Sequence, residues 1–370
     1  MTISRTQVLS YRVHVQQLDR SGAHQVTDAA ILDLGVQDTG TDGAGWALAN
    51  RGVDPSQAAS PGTGLLLAWT LRGAPHFYRR ADVAHVALAT APYSEADAAK
   101  RVFDAAKPLR AAAIDVRDAL RTVADQMRDL VTHPMAKGEM STRLTERLDK
   151  PYLRHCRPCR AIHTYEQPFR LAALQAGLEL QPGTSPPVLQ RIPDWTGPAD
   201  QVPDSLDAVR AYLRFLGPAT PQQVAAYLDA PVKDVKARWP QDAVEVSVEG
   251  AHRWLLAPDL PALESSTVAL DEVRLLSPYD LFLQARDREL LVPDAGRRKH
   301  LWVVLGRPGA VLAGGGIVGT WRPRTSGRKL RLAVDAWSPL PEQAVLVEGE
   351  RLAAHRGVSF HGLTDDGMSR

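Results

Sequence analysis

Gln37, Asp38 and Thr39 interrupt an apolar, glycine-rich passage that reads LDLGVQDTGTDGAGWALANRG from Leu32 to Gly52. Their types suit hydrolytic chemistry. A carboxamide positions water by hydrogen bonding, and a carboxylate can in addition take a proton or stabilise positive charge. A threonine hydroxyl holds water without accepting its proton at neutral pH. The same residues also suit a structural turn. Asp38 could cap its own loop, Thr41 or Asp42 could cap the helix that follows, and Gln37 could satisfy buried backbone. The residue types alone leave both readings open.

A second group is electrostatic. Between Gly296 and Arg331 stand Arg297, Arg298, Lys299, Arg307, Arg322, Arg324, Arg328, Lys329 and Arg331, with no Asp or Glu among them. The whole chain has a net charge of only +2, so the remainder is acidic and the basic surface is local. Clustered cations without interleaved acids are best tolerated when a polyanion neutralises them. A nucleic acid is therefore the expected partner, the alternative being a solvated basic face whose acids another module supplies. Arg322, Arg324, Arg328 and Lys329, in the hairpin-like TWRPRTSGRKLRL, are the foremost phosphate contacts, with Arg297, Arg298 and Lys299 beside them. Two smaller groups could join them or be ordinary surface charge: Arg72, His76 and Arg79 in LRGAPHFYRR, and Lys233 with Lys236.

The two cysteines, Cys156 and Cys159 in RHCRPCRAIH, exclude a disulfide framework and fit a reducing compartment. His163 stands four residues past Cys159, but His155 is too close to Cys156 to reach the same ion easily; the C-x-x-C reads as two reduced structural thiols, with structural zinc and a redox pair as the alternatives, and no metal is expected. No Walker loop, dinucleotide fingerprint, H-E-x-x-H or G-x-S-x-G occurs. The chain has 370 residues, 44% hydrophobic and 23% charged, with no apolar run of membrane-spanning length and no signal-peptide pattern. An intracellular, cytoplasmic and nucleoid-associated monomer is expected.

The elements that must position these residues follow from periodicity. Ser4 opens a helix with Val8, Tyr11, Val15 and Leu18 on one face, and a second helix is expected from Thr27 through Leu34. A helix near Ala44–Asn50 stops at Gly52. A linker, VDPSQAASPGTG, leads to a strand, a Gly-Ala-Pro turn and a returning strand. Helices followed by a hairpin is the order of a winged helix-turn-helix. A clearer copy lies between Ser205 and Leu260, where Thr220, Pro221 and Gln223 mark a helix start and Val244, Val246 and Val248 alternate with polar residues. The middle region reads as a degenerate copy. From Ser266, the segments LWVVLG, AVLAGG, IVGTWRP and LRLAVDAW look like strands. The expected fold is α+β: winged helices at 1–92, 93–195 and 203–262, then a β-rich, barrel-like module at 266–370.

The glutamine loop, WTLRGAPHFYRR, GPATPQQVAAYL and LLSPYDLFLQARDREL, in that order, resemble the AlkZ/YcaQ family of winged-helix DNA glycosylases. The resemblance covers nearly the whole chain. It implies three tandem winged helices with a β-barrel around a DNA-sized concavity, excision of alkylated or cross-linked purines, and no metal or other cofactor. The family signature is a glutamine, an apolar residue, then glutamine or aspartate. Here Gln37 holds the first position, Asp38 the apolar one and Thr39 the last. An active enzyme would then use Asp38 in a shifted register, with Gln37 orienting the water. The alternative is a non-catalytic winged-helix DNA-binding or regulatory protein on the same scaffold.

Overall fold

The computed structural model describes residues 2–20, 25–54, 64–267 and 273–364. Most of the VDPSQAASPGTG linker lies outside them. Ser4 caps the first helix, Arg5–Val15, through a reciprocal box. Gln7 N donates to Ser4 Oγ at 3.2 Å and Ser4 N donates to Gln7 Oε1 at 3.0 Å. Val8, Tyr11 and Leu18 are buried as the spacing predicts. The expected helix from Thr27 is instead two short 3₁₀ turns, Val26–Asp28 and Ala30–Asp33, separated by extended Ala29. The Gln17 side chain accepts from Ala30 N at 2.7 Å and so occupies a donor that a continuous helix would use. Ile31, Leu32 and Leu34 are buried all the same.

The hairpin Leu65–Trp69 and Pro75–Arg79 forms as expected, within a larger antiparallel sheet of six strands. Their order is Val36–Gln37, Pro75–Arg79, Leu65–Trp69, Leu178–Leu180, Val188–Arg191 and Met135–Ala136. The glutamine strand thus lies at one edge, and the strand read from PPVLQRI pairs near the other. The amphipathic helix Val116–Leu130 packs on Glu166–Gln175, which lies against the central strands.

Helices Ala208–Leu216, Pro221–Leu228 and Val232–Ala237 precede the hairpin Ala243–Val248 and Ala251–Leu256. Thr220 Oγ1 accepts from Gln223 N, and Gln223 Oε1 accepts from Thr220 N, as the sequence indicates. The chain's first strand, Thr2–Ile3, runs parallel to Ala243–Val248, so Ile3, Val8 and Tyr11 share a core with Val246, Val248 and Leu255.

Two expectations for the C-terminal region are corrected. LWVVLG is not a strand: Asp294 caps a helix, Ala295–Leu301, that runs into it, and Val304 and Leu305 are then exposed in a turn. The β-rich region is an open five-stranded sheet and not a closed barrel. Its last strand, Ser359–Thr364, lies parallel to Lys329–Ala336. A parallel neighbour needs a crossover. That crossover contains the helix Glu342–His355, which packs against the sheet.

Buried ion pairs tie the parts together. Arg51 and Asp280, both fully buried, make a two-point contact at 2.8 and 2.9 Å. Arg12 grips Asp287 at 3.0 and 2.7 Å, and Arg253 adds a third contact to Asp287. Both acids come from SPYDLFLQARDREL, which links the first helices to the C-terminal region. Removing one partner of such a pair strands the other charge in a dry interior, whereas replacing both by apolar groups need not. Asp280→Ala should therefore lose about 3–5 kcal/mol in urea unfolding, and Arg51→Met with Asp280→Leu should lose much less. A loss of under about 1 kcal/mol for the single variant would contradict this role for the pair.

Candidate nucleic-acid interface and glutamine loop

Strand pairing fixes the loop. Val36 stands opposite Phe77 and Gln37 opposite His76, and Asp38 N donates to Pro75 O at 2.8 Å. Just before them Gly35 has φ +90°, and a Cβ there would lie 2.5 Å from the Tyr78 ring, so only glycine lets the chain cross that ring. Past the strand, Gln37 Nε2 donates to Thr39 Oγ1 at 3.0 Å. Asp38 Oδ1 accepts from Ala44 N at 3.0 Å, in the first turn of the helix Gly43–Ala49. Gly43 makes room for it: its φ is +37°, and a Cβ would stand 2.1 Å from that oxygen. Asp38 therefore caps the helix, and Asp42 instead receives two charge-assisted bonds from Arg356, at 2.6 and 2.5 Å.

Burial raises the Asp38 carboxyl pKa above its ordinary value, with the Ala44 N–H opposing the shift. Beneath the loop lies a buried polar layer. His76 Nδ1 is 2.9 Å from Ala74 O and 3.0 Å from Thr70 Oγ1, which is in turn 2.8 Å from Tyr78 Oη. Burial, reinforced by the positive charge of Arg72, lowers the His76 pKa to about 3, so the imidazole is neutral. The expectation that His76 contacts phosphate is thus corrected: it is buried and uncharged beside Gln37.

Arg79 is also committed elsewhere. It pairs with Asp33 and donates to the carbonyls of Thr27 and Ala29, which fastens the turns before the loop. Arg72, held at φ +58°, donates to Tyr227 O at 2.6 Å and stacks on that ring. Lys233 and Lys236 are exposed on Val232–Ala237 and form no ion pair among the described residues.

The C-terminal cations behave differently. A cavity of about 240 Å³ is lined by Thr39–Gly43 together with Arg307, Arg322, Arg324 and Arg356, the last of them the partner of Asp42. The loop and the basic stretch, remote in sequence, meet there. In the hairpin formed by Gly316–Ser326 and Lys329–Ala336, Arg324 lies directly opposite Arg331 and Ser326 opposite Lys329. Like charges face to face destabilise a sheet. Arg322, Arg324, Arg328, Lys329 and Arg331 make no ion pair among the described residues. Arg322 and Arg328 do donate to the carbonyls of Gly306 and Gly357. Arg297 donates to Trp337 O and stacks on its ring, while Arg298 donates to Val292 O and Pro293 O.

Sequence reasoning missed Arg253, Arg286 and Arg288, which line a larger cavity of about 480 Å³ with Arg298, Lys299 and the carboxylates of Asp287 and Glu289, the partners of Arg253 and Arg298. Arg286 Nε is buried without a hydrogen-bond partner among the described residues. The Arg286 pKa is lowered by burial and then by Arg72, and that of Arg288 by burial and then by Arg286 and Arg307. A seam of mutually repelling arginines thus runs from the first hairpin to the C-terminal sheet. Its one sequence signal was the density of arginine in QARDREL.

The raised Asp38 pKa has a definite consequence. The folded state binds the Asp38 proton more tightly than the unfolded state. The native form is favoured below the unfolded value of 3.8 and loses that advantage as pH rises through the higher folded value. At neutral pH the buried carboxylate costs stability. Asp38→Asn keeps an oxygen for Ala44 N without the charge, so its Tm at pH 7 should equal or exceed that of wild type. The difference should close on acidification through the carboxylate range. A Tm below wild type at pH 7 would refute this.

Residues 31–355 match the family described as DNA glycosylase AlkZ-like. Among solved structures the fold is similar to that of Streptomyces sahachiroi DNA glycosylase AlkZ. The TM-score is 0.70 at 20% identity, over 98% of this chain and 100% of that one. No curated protein sequence is significantly similar to the chain. The matched segment contains the glutamine loop, the arginine seam and the basic hairpin, and by that match the chain belongs to the AlkZ-like DNA glycosylase family.

Proposed function

We propose that the protein binds duplex DNA as a monomer through tandem winged helices and hydrolyses the N-glycosidic bond of an alkylated or cross-linked purine. The observation that carries this reading is the cavity lined by Thr39–Gly43, the residues that directly follow Gln37 and Asp38, together with Arg307, Arg322 and Arg324. A scissile nucleotide needs a polar water-positioning group and phosphate-neutralising cations within one cleft. The three helices and hairpin of 203–262, with Ala219 bridging to Trp254, support the winged-helix assignment there.

In this mechanism Gln37, held by Thr39, orients a water toward C1′ of the sugar. The C1′–N bond breaks as the water oxygen bonds to C1′, and the water proton passes to Asp38. A purine alkylated at N7 or N3 already carries positive charge, so it leaves as a neutral base without an acid to protonate it. Asp38 Oδ1 is engaged with Ala44 N, and Oδ2 has no hydrogen bond among the described residues, which leaves it for the water or for oxocarbenium-like charge. Neutral His76 packs beside Gln37 without placing a competing cation there. Arg322, Arg324, Arg328 and Lys329 set the register on the phosphates.

Duplexes carrying N7-alkylguanine, N3-alkyladenine or a cross-link should yield abasic sites. Gln37→Ala and Asp38→Ala should each lower single-turnover excision by about 10²-fold or more. Absence of product with wild type, or equal product from the Gln37→Ala/Asp38→Ala double variant, would overturn the enzyme reading. Two observations favour the non-catalytic alternative: Asp38 already serves as a helix cap, and Thr39 stands where the signature has glutamine or aspartate.

Binding itself is tested separately. Affinity for duplex should fall steeply with salt, and removing Arg324 or Lys329 should each reduce the log–log slope by about 1. A flat salt response would exclude phosphate contacts, and unchanged slopes in both variants would remove these residues from the interface.

A further inference from the structure

The hairpin Leu153–Cys156 and Ala161–Thr164 stands apart from the other sheets as a two-stranded unit. Its base packs against the helix Lys137–Arg147, where Thr164 N donates to Thr145 Oγ1 at 3.3 Å, but a two-stranded hairpin is marginal in water where nothing holds it. Its tip has little apolar cover: Arg157, Cys159, Arg160 and Ala161 are exposed, and Ile162 is 61% exposed. The tip instead gathers Cys156, Cys159 and His163, whose ligand atoms all lie within 4.8 Å of one another.

The backbone explains that grouping. Arg154 pairs with His163 and Cys156 with Ala161, so Cys156 and His163 point from the same face of the hairpin. In the Arg157–Arg160 turn, Arg160 takes φ +50° and its N–H donates to Arg157 O, which returns Cys159 toward Cys156. His155 pairs with Ile162 on the opposite face and takes no part. A further contact prepares the imidazole. His163 Nδ1 lies 2.9 Å from the Thr164 carbonyl oxygen, which can only accept. The proton therefore sits on Nδ1, and the Nε2 lone pair is free for a metal, the arrangement that orients metal-binding histidines.

We propose that Cys156, Cys159 and His163 bind a zinc ion that staples this hairpin, with the fourth position open to solvent. Ligands at 2.0–2.3 Å around tetrahedral zinc stand about 3.5 Å apart, so the cluster needs only a small contraction. Binding releases the two thiol protons, and the two thiolates balance the dication beside Arg154, Arg157 and Arg160. The sequence reading of two reduced structural thiols becomes a dithiolate–imidazole site once His163 is brought to them.

The full chain, purified reduced and without a histidine tag, should carry about one zinc by elemental analysis. Cobalt substitution should give four-coordinate ligand-field absorption with sulfur-to-metal charge transfer. Cys156→Ser/Cys159→Ser should abolish both signals, and His163→Ala should weaken them. In wild type, trypsin cleavage at Arg157 and Arg160 reads the staple without relying on a variant that must fold. Zinc at ten times its Kd should slow that cleavage about tenfold relative to chelator-treated protein. Three results would overturn the proposal: zinc content equal to that of the double variant, cleavage indifferent to chelator, or a chain two hydrogens lighter with both cysteines in a disulfide and no metal bound.

Discussion

The two-point contact between Arg51 and Asp280 is the constraint on which the rest of the arrangement depends. Arg51 lies just past the Gly43–Ala49 helix, and Asp280 caps a 3₁₀ turn beyond the first strand of the C-terminal sheet. The indole of Trp46 and the amide of Asn50 both donate to Leu275 O, and Asp42 holds Arg356. Together these bonds dock one short helix onto the C-terminal core, where Trp46 is buried among Leu275, Trp321 and Leu352. Because Asp38 caps the same helix, the dock also positions the glutamine loop. The basic hairpin belongs to the sheet that receives the helix, so the loop and the cations face one another as a result of this packing.

The electrostatic design separates two uses of arginine. Arg12, Arg51, Arg79 and Arg101 are matched to carboxylates and hold elements in register. Arg286 and Arg307 repel Arg288 beside the cavities, and Arg324 stands opposite Arg331 in the hairpin. The first kind stabilises the fold. The second costs stability until a polyanion is present, which is the cost expected of a surface shaped for phosphate.

Much of the local structure was legible in the sequence. The helix start at Ser4, the capping box at Thr220, the hairpin after Trp69 and the helix holding Trp46 all follow from neighbouring residues. The errors came where distant groups intervened. Gln17 takes a backbone donor from the Thr27 segment, Asp294 starts a helix that absorbs the beginning of LWVVLG, and a crossover helix accompanies an open sheet where a barrel was expected. His76 and Arg79 read as available because LRGAPHFYRR looks like an ordinary basic hairpin. Only the tertiary contacts show His76 to be buried and Arg79 to be committed to Asp33.

By itself the sequence determined which residues could do chemistry: a glutamine–aspartate–threonine loop, a basic stretch without interleaved acids and two cysteines, all fixed by side-chain type and spacing. Tertiary structure decided which of them meet. Burial raised Asp38 and silenced His76, a long-range ion pair brought the loop against Arg322 and Arg324, and a hairpin register carried His163 to Cys156 and Cys159. Each of these depends on contacts between residues far apart in the chain or on opposite strands, which local propensity does not encode.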